Sequence, residues 1–475
     1  MGLIVAIDLI VVFALVGIAL SKGFEYVLPF AAFVCILVPE TSSIPLPGFF
    51  VLTTQRLVLV VLIPLYFAVG KSRAESALIA NNSLKWLMIA QVTWSLVSTV
   101  NSIVPVMSIK KLLSEVVEYY VLYAIYVRTI TSVQMIYRIL HAIVAAIFVS
   151  SVFGALEAYA GWSVMSLFPT GVSQIALALG LGGDDEGRVA STFPHAILFG
   201  AALAIAITLA LHLVKVTASG KKKVFFWAAI LLMFLNIYKT FSRGPWLGLI
   251  LALTILMLFE GGKLRKYLLV IATLIVLVLV IRPGVYESIS NLYSETFTVD
   301  WDSPKGLSYE YRYELRRVAQ RALARDFRRE LWGYGMESFF TLHLEGELAG
   351  HRFPFLSCDS AWIELAVETG YVGLILIALL LFKPAWLSWK DFRRIKQPDR
   401  YLSLTLFTCM VAYYFMMTSV AMYAWGQEGY MLWILIALSM VHRELRKPGS
   451  PVRLATTSAA ELNLDAVPLG SSQFA

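Results

Sequence analysis

"LIVAIDLIVVFALVGIALS", residues 3–21, carries a single charged residue, Asp8, and no proline. As an α-helix such a stretch is about as long as the ~30 Å hydrocarbon core of a bilayer is thick. It lacks the basic leading region and small-residue cleavage site of a signal peptide, so it reads as a retained membrane helix. The whole chain agrees with it. Of 475 residues, 59% are hydrophobic and 15% charged, with a mean hydropathy of +0.74; soluble domains run near roughly 25% charged. Similar apolar spans recur near 3–21, 24–39, 55–70, 85–106, 112–129, 137–159, 194–214, 224–240, 244–260, 266–282, 360–382, 401–423 and 428–442. The expected fold class is all-α, a polytopic membrane helix bundle of about 12–13 spans.

The net charge of +8 would suggest nucleic acid in a soluble protein, but in a membrane protein basic residues first report topology. Lys71 and Arg73, the lysine run at 221–223, Lys263, Arg265 and Lys266, the "KDFRRIK" run at 390–396, and Arg443, Arg446 and Lys447 fall on alternate loops. The positive-inside rule makes these loops cytoplasmic. The outward loops are then 160–193, the "KTFSRGP" turn at 239–245, and 283–359, which alone is large enough to fold by itself. Four segments follow: membrane helices over 1–282, a large, mainly helical periplasmic loop over 283–359, membrane helices over 360–442, and a disordered cytoplasmic tail over 443–475. Lys110 and Lys111 fall on the outward side against the rule, as local noise or as cations held for a ligand.

Within the large loop, "SYEYRYELRRVAQRALARDFRRELWGYG", residues 308–335, is free of proline and ends at Gly333 and Gly335. Arg317, Arg321 and Arg325 at i, i+4 and i+8 make one basic stripe, with Leu315, Val318, Ala322 and Leu323 near the other side. That stripe is either a solvated face over the membrane-domain mouth or an anion-gripping cap.

Three short outward segments each place a polar group where a span emerges: Arg188 with His195 in 184–200, Arg243 in 240–249, and Asp359 at the head of 358–374. One interfacial arginine can simply snorkel. Two arginines and a carboxylate at three mouths favour a shared site, since charge held at membrane depth usually faces an interior cavity. Asp359 has two readings, an N-cap for the helix that follows or a proton acceptor. Glu364 and Glu368 lie one and two turns deeper on that helix, placed to pair with Arg188 or Arg243 or to bind sugar hydroxyls.

"RVASTFPH" at 188–195, "SRGPWLGL" at 242–249, "GYGMESF" at 333–339 and "SAWIELAVETGYVGL" at 360–374 together resemble the O-antigen ligase and O-antigen polymerase family. The resemblance covers roughly residues 185–383. It implies a glycosyltransferase of the bacterial inner membrane that moves glycan from an undecaprenyl pyrophosphate carrier to an acceptor at the periplasmic face. That acceptor is another glycan for a polymerase of exopolysaccharide or O-antigen repeats, the favoured reading, or lipid A-core for a ligase. Arg188 and Arg243 match the family's two arginines, and guanidinium suits a departing pyrophosphate because it binds phosphate bidentately and stays charged. The family's histidine, thought to act on the acceptor hydroxyl, falls on Asp359, so a carboxylate would do that work here. His195, Arg317, Arg321, Glu364, Glu368 and His351 are candidate substrate contacts, His351 also as a substitute for the missing histidine.

No cofactor, metal or nucleic-acid partner is expected. The three scattered cysteines draw no disulfide framework, and no P-loop, Rossmann or kinase motif is present. "DWD" at 300–302 has the spacing of a nucleotide-sugar metal motif but lies in an outward loop with no supporting strand pattern. The expected partners are the lipid-linked donor, the acceptor and membrane lipids, with a flippase and a chain-length regulator as protein partners. A secondary transporter would favour internal repeats and midplane charges, and a non-catalytic export scaffold would need neither Asp359 nor both arginines.

Overall fold

The computed structural model describes residues 2–45, 51–70, 84–168, 188–260, 266, 304–348, 350–355, 358–395 and 399–446. These residues are overwhelmingly helical. In chain order the helices are α1 (Gly2–Lys22), α2 (Val27–Leu37), α3 (Thr54–Leu65), α4 (Lys85–Val100), α5 (Pro105–Glu115), α6 (Leu122–Thr129), α7 (Val133–Ala160), α8 (Ala196–Val216), α9 (Gly220–Lys239) and α10 (Arg243–Phe259). They continue as α11 (Pro304–Leu323), α12 (Phe327–Trp332), α13 (Ala361–Arg394), α14 (Arg400–Met416) and α15 (Gly426–Leu445). A π-helical stretch, Val116–Val121, joins α5 to α6.

The protein is an integral membrane protein. Among the described residues, α1, α7, α8 and α13 are long and apolar enough to cross a membrane, and Phe24–Leu37, Thr54–Gly70 and Arg243–Phe259 are shorter apolar helices. The other expected spans overlap described helices in part, and 266–282 lies outside the described residues apart from Lys266, as do the DWD motif and the tail beyond Arg446.

Sequence explains why α8 lies at the centre. Its run "FGAALAIAITLALHL" mixes alanine and glycine with leucine and isoleucine, which lets neighbouring backbones approach closely. Eighteen of its residues are buried, and it packs against α7, α9, α10 and α14. A Cβ on Gly200 would sit 2.9 Å from the Pro245 ring, so glycine there permits the contact that seats the head of α10. By contrast α1 leaves Ile10, Phe13 and Leu20 more than half exposed, as a helix facing lipid does.

The segment before α13 forms a cap. Leu315, Val318, Ala322 and Leu323 of α11 are buried, as the periodicity predicts, against Phe339, Phe355 and the Ala366–Val367 pair of α13. One sequence expectation changes here. The helix predicted over 308–335 breaks after Leu323, because Asp326 accepts from the Arg328 backbone N–H and starts α12 afresh. Arg325 therefore lies off the helix, and the stripe keeps only Arg317 and Arg321. The described part of the cap is mainly helical and adds one hairpin: β1 (Glu345–Leu348) and β2 (His351–Pro354) pair antiparallel, Glu345 opposite Pro354 and Leu348 opposite His351. A second short antiparallel pair, β3 (Ser43–Pro45) with β4 (Val51–Thr53), precedes α3.

Candidate functional site

The arginine side of the mouth is built from the turn between α9 and α10. Arg188 reaches that turn from the "RVASTFPH" segment: its Nε donates to the Thr240 carbonyl at 2.9 Å and its Nη2 to Ser242 Oγ at 2.9 Å. The Val189 N–H donates to the Lys239 carbonyl. Glu157 of α7 holds the segment from behind, its two carboxylate oxygens accepting from the Ala190 and Ser191 backbone N–H groups at 3.1 and 2.9 Å. Phe241 and Ser191 both take left-handed backbone conformations, at φ 47° and 56°. For residues with a Cβ this is a strained state, retained where surrounding bonds over-determine it.

Arg243 is the first residue of α10, directly after the braced turn. Its guanidinium lies within electrostatic reach of Arg312 on α11. Arg312 in turn forms an ion pair with Asp359, Nη2 to Oδ2 at 3.4 Å, with both side chains 33% exposed. An ion pair and a second guanidinium within electrostatic reach of it, from three separate segments, thus lie in one partly exposed region. Asp359 is not the helix cap: that position belongs to Ser360, whose side chain makes no capping bond, while the Ala361 N–H donates to the Met417 carbonyl.

The carboxylate side lies at the same mouth, and its frame is backbone. Helix α13 unwinds at Gly370, which has φ 70°. That break frees three carbonyls, each of which finds a donor. The Tyr334 N–H bonds the Val367 carbonyl and the Gly335 N–H bonds the Glu368 carbonyl, both at 2.9 Å; Ser98 Oγ also donates to Glu368, and Trp94 Nε1 donates to Thr369. A Cβ on Gly333 would meet the Glu368 carbonyl carbon at 2.6 Å. The "GYGMESF" and "AVETG" stretches are therefore two halves of one docking joint, and their glycines are what lets the backbones touch.

This joint gathers Lys111, Glu337, Glu364 and Glu368. Lys111 Nζ lies 3.4 Å from Glu337 Oε2 and interacts with Glu364, Glu368 and Glu115 as well. Glu364 and Glu368 thus face Lys111 and Glu337 in place of the expected Arg188 and Arg243. Glu368 is 4% exposed, with Oε1 left without a hydrogen bond in the described structure. Lys111, which the basic loop pattern left unexplained, balances the charge of these acids. Behind it, Glu115 accepts from Tyr120 and Tyr423 hydroxyls at 3.0 and 2.7 Å, and Glu118 accepts from Arg56 and Tyr430 at 2.9 Å each.

The remaining candidates sit elsewhere or do other work. His195 is the N-cap of α8, its Nδ1 accepting from the Ile197 N–H at 3.1 Å. Arg317 pairs with Glu314 on its own helix at 2.6 Å, and Arg321 is exposed. His351 is exposed at the start of β2. Arg312, Glu157, Lys111 and Glu337 are the residues sequence reading missed or left open. Arg312 carried a faint signal, since it stands outside the 317, 321 stripe and so points a charge toward a different side of α11.

A polytopic helical membrane protein with a capped, charge-lined mouth is the class this geometry defines. Residues 228–378 match the family model described as O-antigen ligase, which supports the family resemblance carried by the motifs. The matched region takes in α10, the cap and the first half of α13, and so includes Arg243, Arg312, Asp359, Glu364 and Glu368. No curated protein matches the chain.

Proposed function

We propose that the protein transfers a glycan from an undecaprenyl pyrophosphate carrier to an acceptor hydroxyl at the periplasmic mouth, as a polymerase of polysaccharide repeat units. The observation that carries this reading is the meeting of Arg243, Arg312 and Asp359. Two guanidinium groups that feel one another's charge make a place where a diphosphate is favoured, since it is bound bidentately and its charge offsets their repulsion. The acceptor hydroxyl attacks the anomeric carbon of the donor sugar, the bond from that carbon to the phosphate oxygen breaks, and the electron pair leaves with the pyrophosphate. Arg243 and Arg312 stabilise the charge that grows there. Asp359 takes the hydroxyl proton. Its ion pair with Arg312 gives a natural coupling: a bound diphosphate competes for the guanidinium and frees the carboxylate for the acceptor. Arg188 acts as a positioning residue, because its hydrogen bonds fix the turn that aims Arg243.

The carboxylate side supplies acceptors for sugar hydroxyls, with Glu364 and Glu337 partly open to the mouth. The reaction as drawn needs no metal. The assignment of the cap and mouth to the periplasmic face follows the basic loop pattern. Deleting the gene and analysing surface polysaccharide tests the reading. Chains reduced to single repeats are the expected result; full-length chains stranded on the carrier identify a ligase, and unchanged polysaccharide rejects both.

A further inference from the structure

Two cavities open at the end of the bundle opposite the mouth. Helix α4 runs from Lys85 toward Ser98, which is bonded to the α13 joint, so Lys85 marks the far end. The chain from Glu115 at the mouth down through α6 brings Arg128 to that same end. Between them lies a groove of about 390 Å³, within the size range of ligand sites. Met88 and Val92 of α4 line one wall and Tyr120 and Ala124 the other, with Lys85 and Arg128 at the open end. The wall residues recur every three to four positions over eight residues, which makes the groove roughly 12 Å long, most of one leaflet of hydrocarbon. Tyr120, the residue of its wall furthest along the chain from Arg128, has its hydroxyl held by Glu115.

We propose that this groove binds an acyl chain of an anionic phospholipid whose phosphate is held by Lys85 and Arg128. A single basic side chain at a membrane boundary commonly snorkels to water. Here two exposed cations from different helices border one apolar groove whose lining, among the described residues, contains no carboxylate. Basic pockets between membrane helices are the usual form of an anionic headgroup site. Arg128 also borders a second cavity of about 420 Å³ whose described lining adds Lys22, Ser21, Thr129 and Thr131, with the Glu25 carboxylate. Phosphate oxygens therefore meet both charge and hydroxyl donors around Arg128. The lipid is a membrane phospholipid distinct from the glycan carrier, whose pyrophosphate belongs with Arg243 at the other end.

Native mass spectrometry of the full chain in detergent, titrated with phosphatidylglycerol, phosphatidylcholine of the same chains, and polyprenyl phosphate, tests the site. The wild type should retain phosphatidylglycerol in preference to phosphatidylcholine, and that preference should shrink as salt rises. Lys85→Gln and Arg128→Gln should each weaken phosphatidylglycerol binding roughly fivefold, leaving phosphatidylcholine unchanged. Equal retention of the two phospholipids by the wild type overturns the proposal, as does unchanged phosphatidylglycerol binding in a folded double variant. Displacement of phosphatidylglycerol by an equal concentration of polyprenyl phosphate reassigns the groove to the carrier and likewise overturns it. The wild-type titrations stand even where a variant fails to fold.

Discussion

The two sides of the mouth are held together in different ways. On the arginine side, Arg243 and Arg312 come from segments 69 residues apart, Arg188 side-chain bonds fix the turn beside Arg243, and Glu157 holds the segment that carries Arg188. On the carboxylate side, Glu337, Glu364 and Glu368 are brought together by backbone hydrogen bonds across a glycine-paved joint. The first arrangement concentrates its dependence in a few side chains. The second spreads it over main chain, where only a residue that needs room or a left-handed backbone is irreplaceable.

Substitutions can break that contrast on either side. The largest loss should come from Arg243→Lys, which keeps the charge but cannot offer a bidentate fork. Transfer from a purified lipid-linked donor in proteoliposomes should fall about 10²- to 10³-fold, the size of effect seen when one transition-state donor is removed. A normal rate at equal folded protein would make Arg243 an interface anchor only.

Asp359→Asn should come next, about a hundredfold slower, the lower end of what a positioned base supplies. Because Ser360 occupies the cap position, the Asn variant should keep the stability of the wild type. Rates near normal would remove the base role and move attention to His351.

Gly370→Ala tests the backbone side. A Cβ there would collide with the Leu331 carbonyl and the left-handed φ of 70° would be strained, so the expected effect is a destabilisation of about 1–3 kcal/mol or more, read by thermal unfolding in detergent. Unchanged stability would show that α13 does not need its break.

The smallest effect sharpens the electrostatic contrast. Burial, then the Glu118 charge, pushes the Glu40 carboxyl up from its ordinary 4.5 to about 7, against the opposing charges of Arg56 and Lys111. A group with a raised folded pKa binds a proton that the unfolded chain has already lost between about pH 4.5 and 7, so stability declines as pH rises through that window and levels off above it. Glu40→Gln should flatten the decline and gain about 1 kcal/mol or less at pH 8, the side chain being partly exposed. The measurement is thermal stability against pH for both proteins; an unchanged slope would place the titration elsewhere.

The legible part was what depends on local pattern. Apolar length marked α1, α7, α8 and α13, and the 3.6-residue period picked Leu315, Val318, Ala322 and Leu323 as the buried side of α11. Motif chemistry pointed to Arg188, Arg243 and Asp359 as separate positions of interest. Local pattern could not see Arg312 as Asp359's partner, because 47 residues and a hairpin separate them and nothing in either neighbourhood names the other. For the same reason it could not see Lys111 as the cation beside Glu364 and Glu368, to which it offered arginines or sugar hydroxyls. The sequence by itself determined that the chain enters a membrane and which short segments bear charge at its mouth, since both follow from solvation and from spacing along one helix. Which charge meets which was decided only by tertiary structure, because long-range pairing is set by the backbone joints that bring distant segments into register.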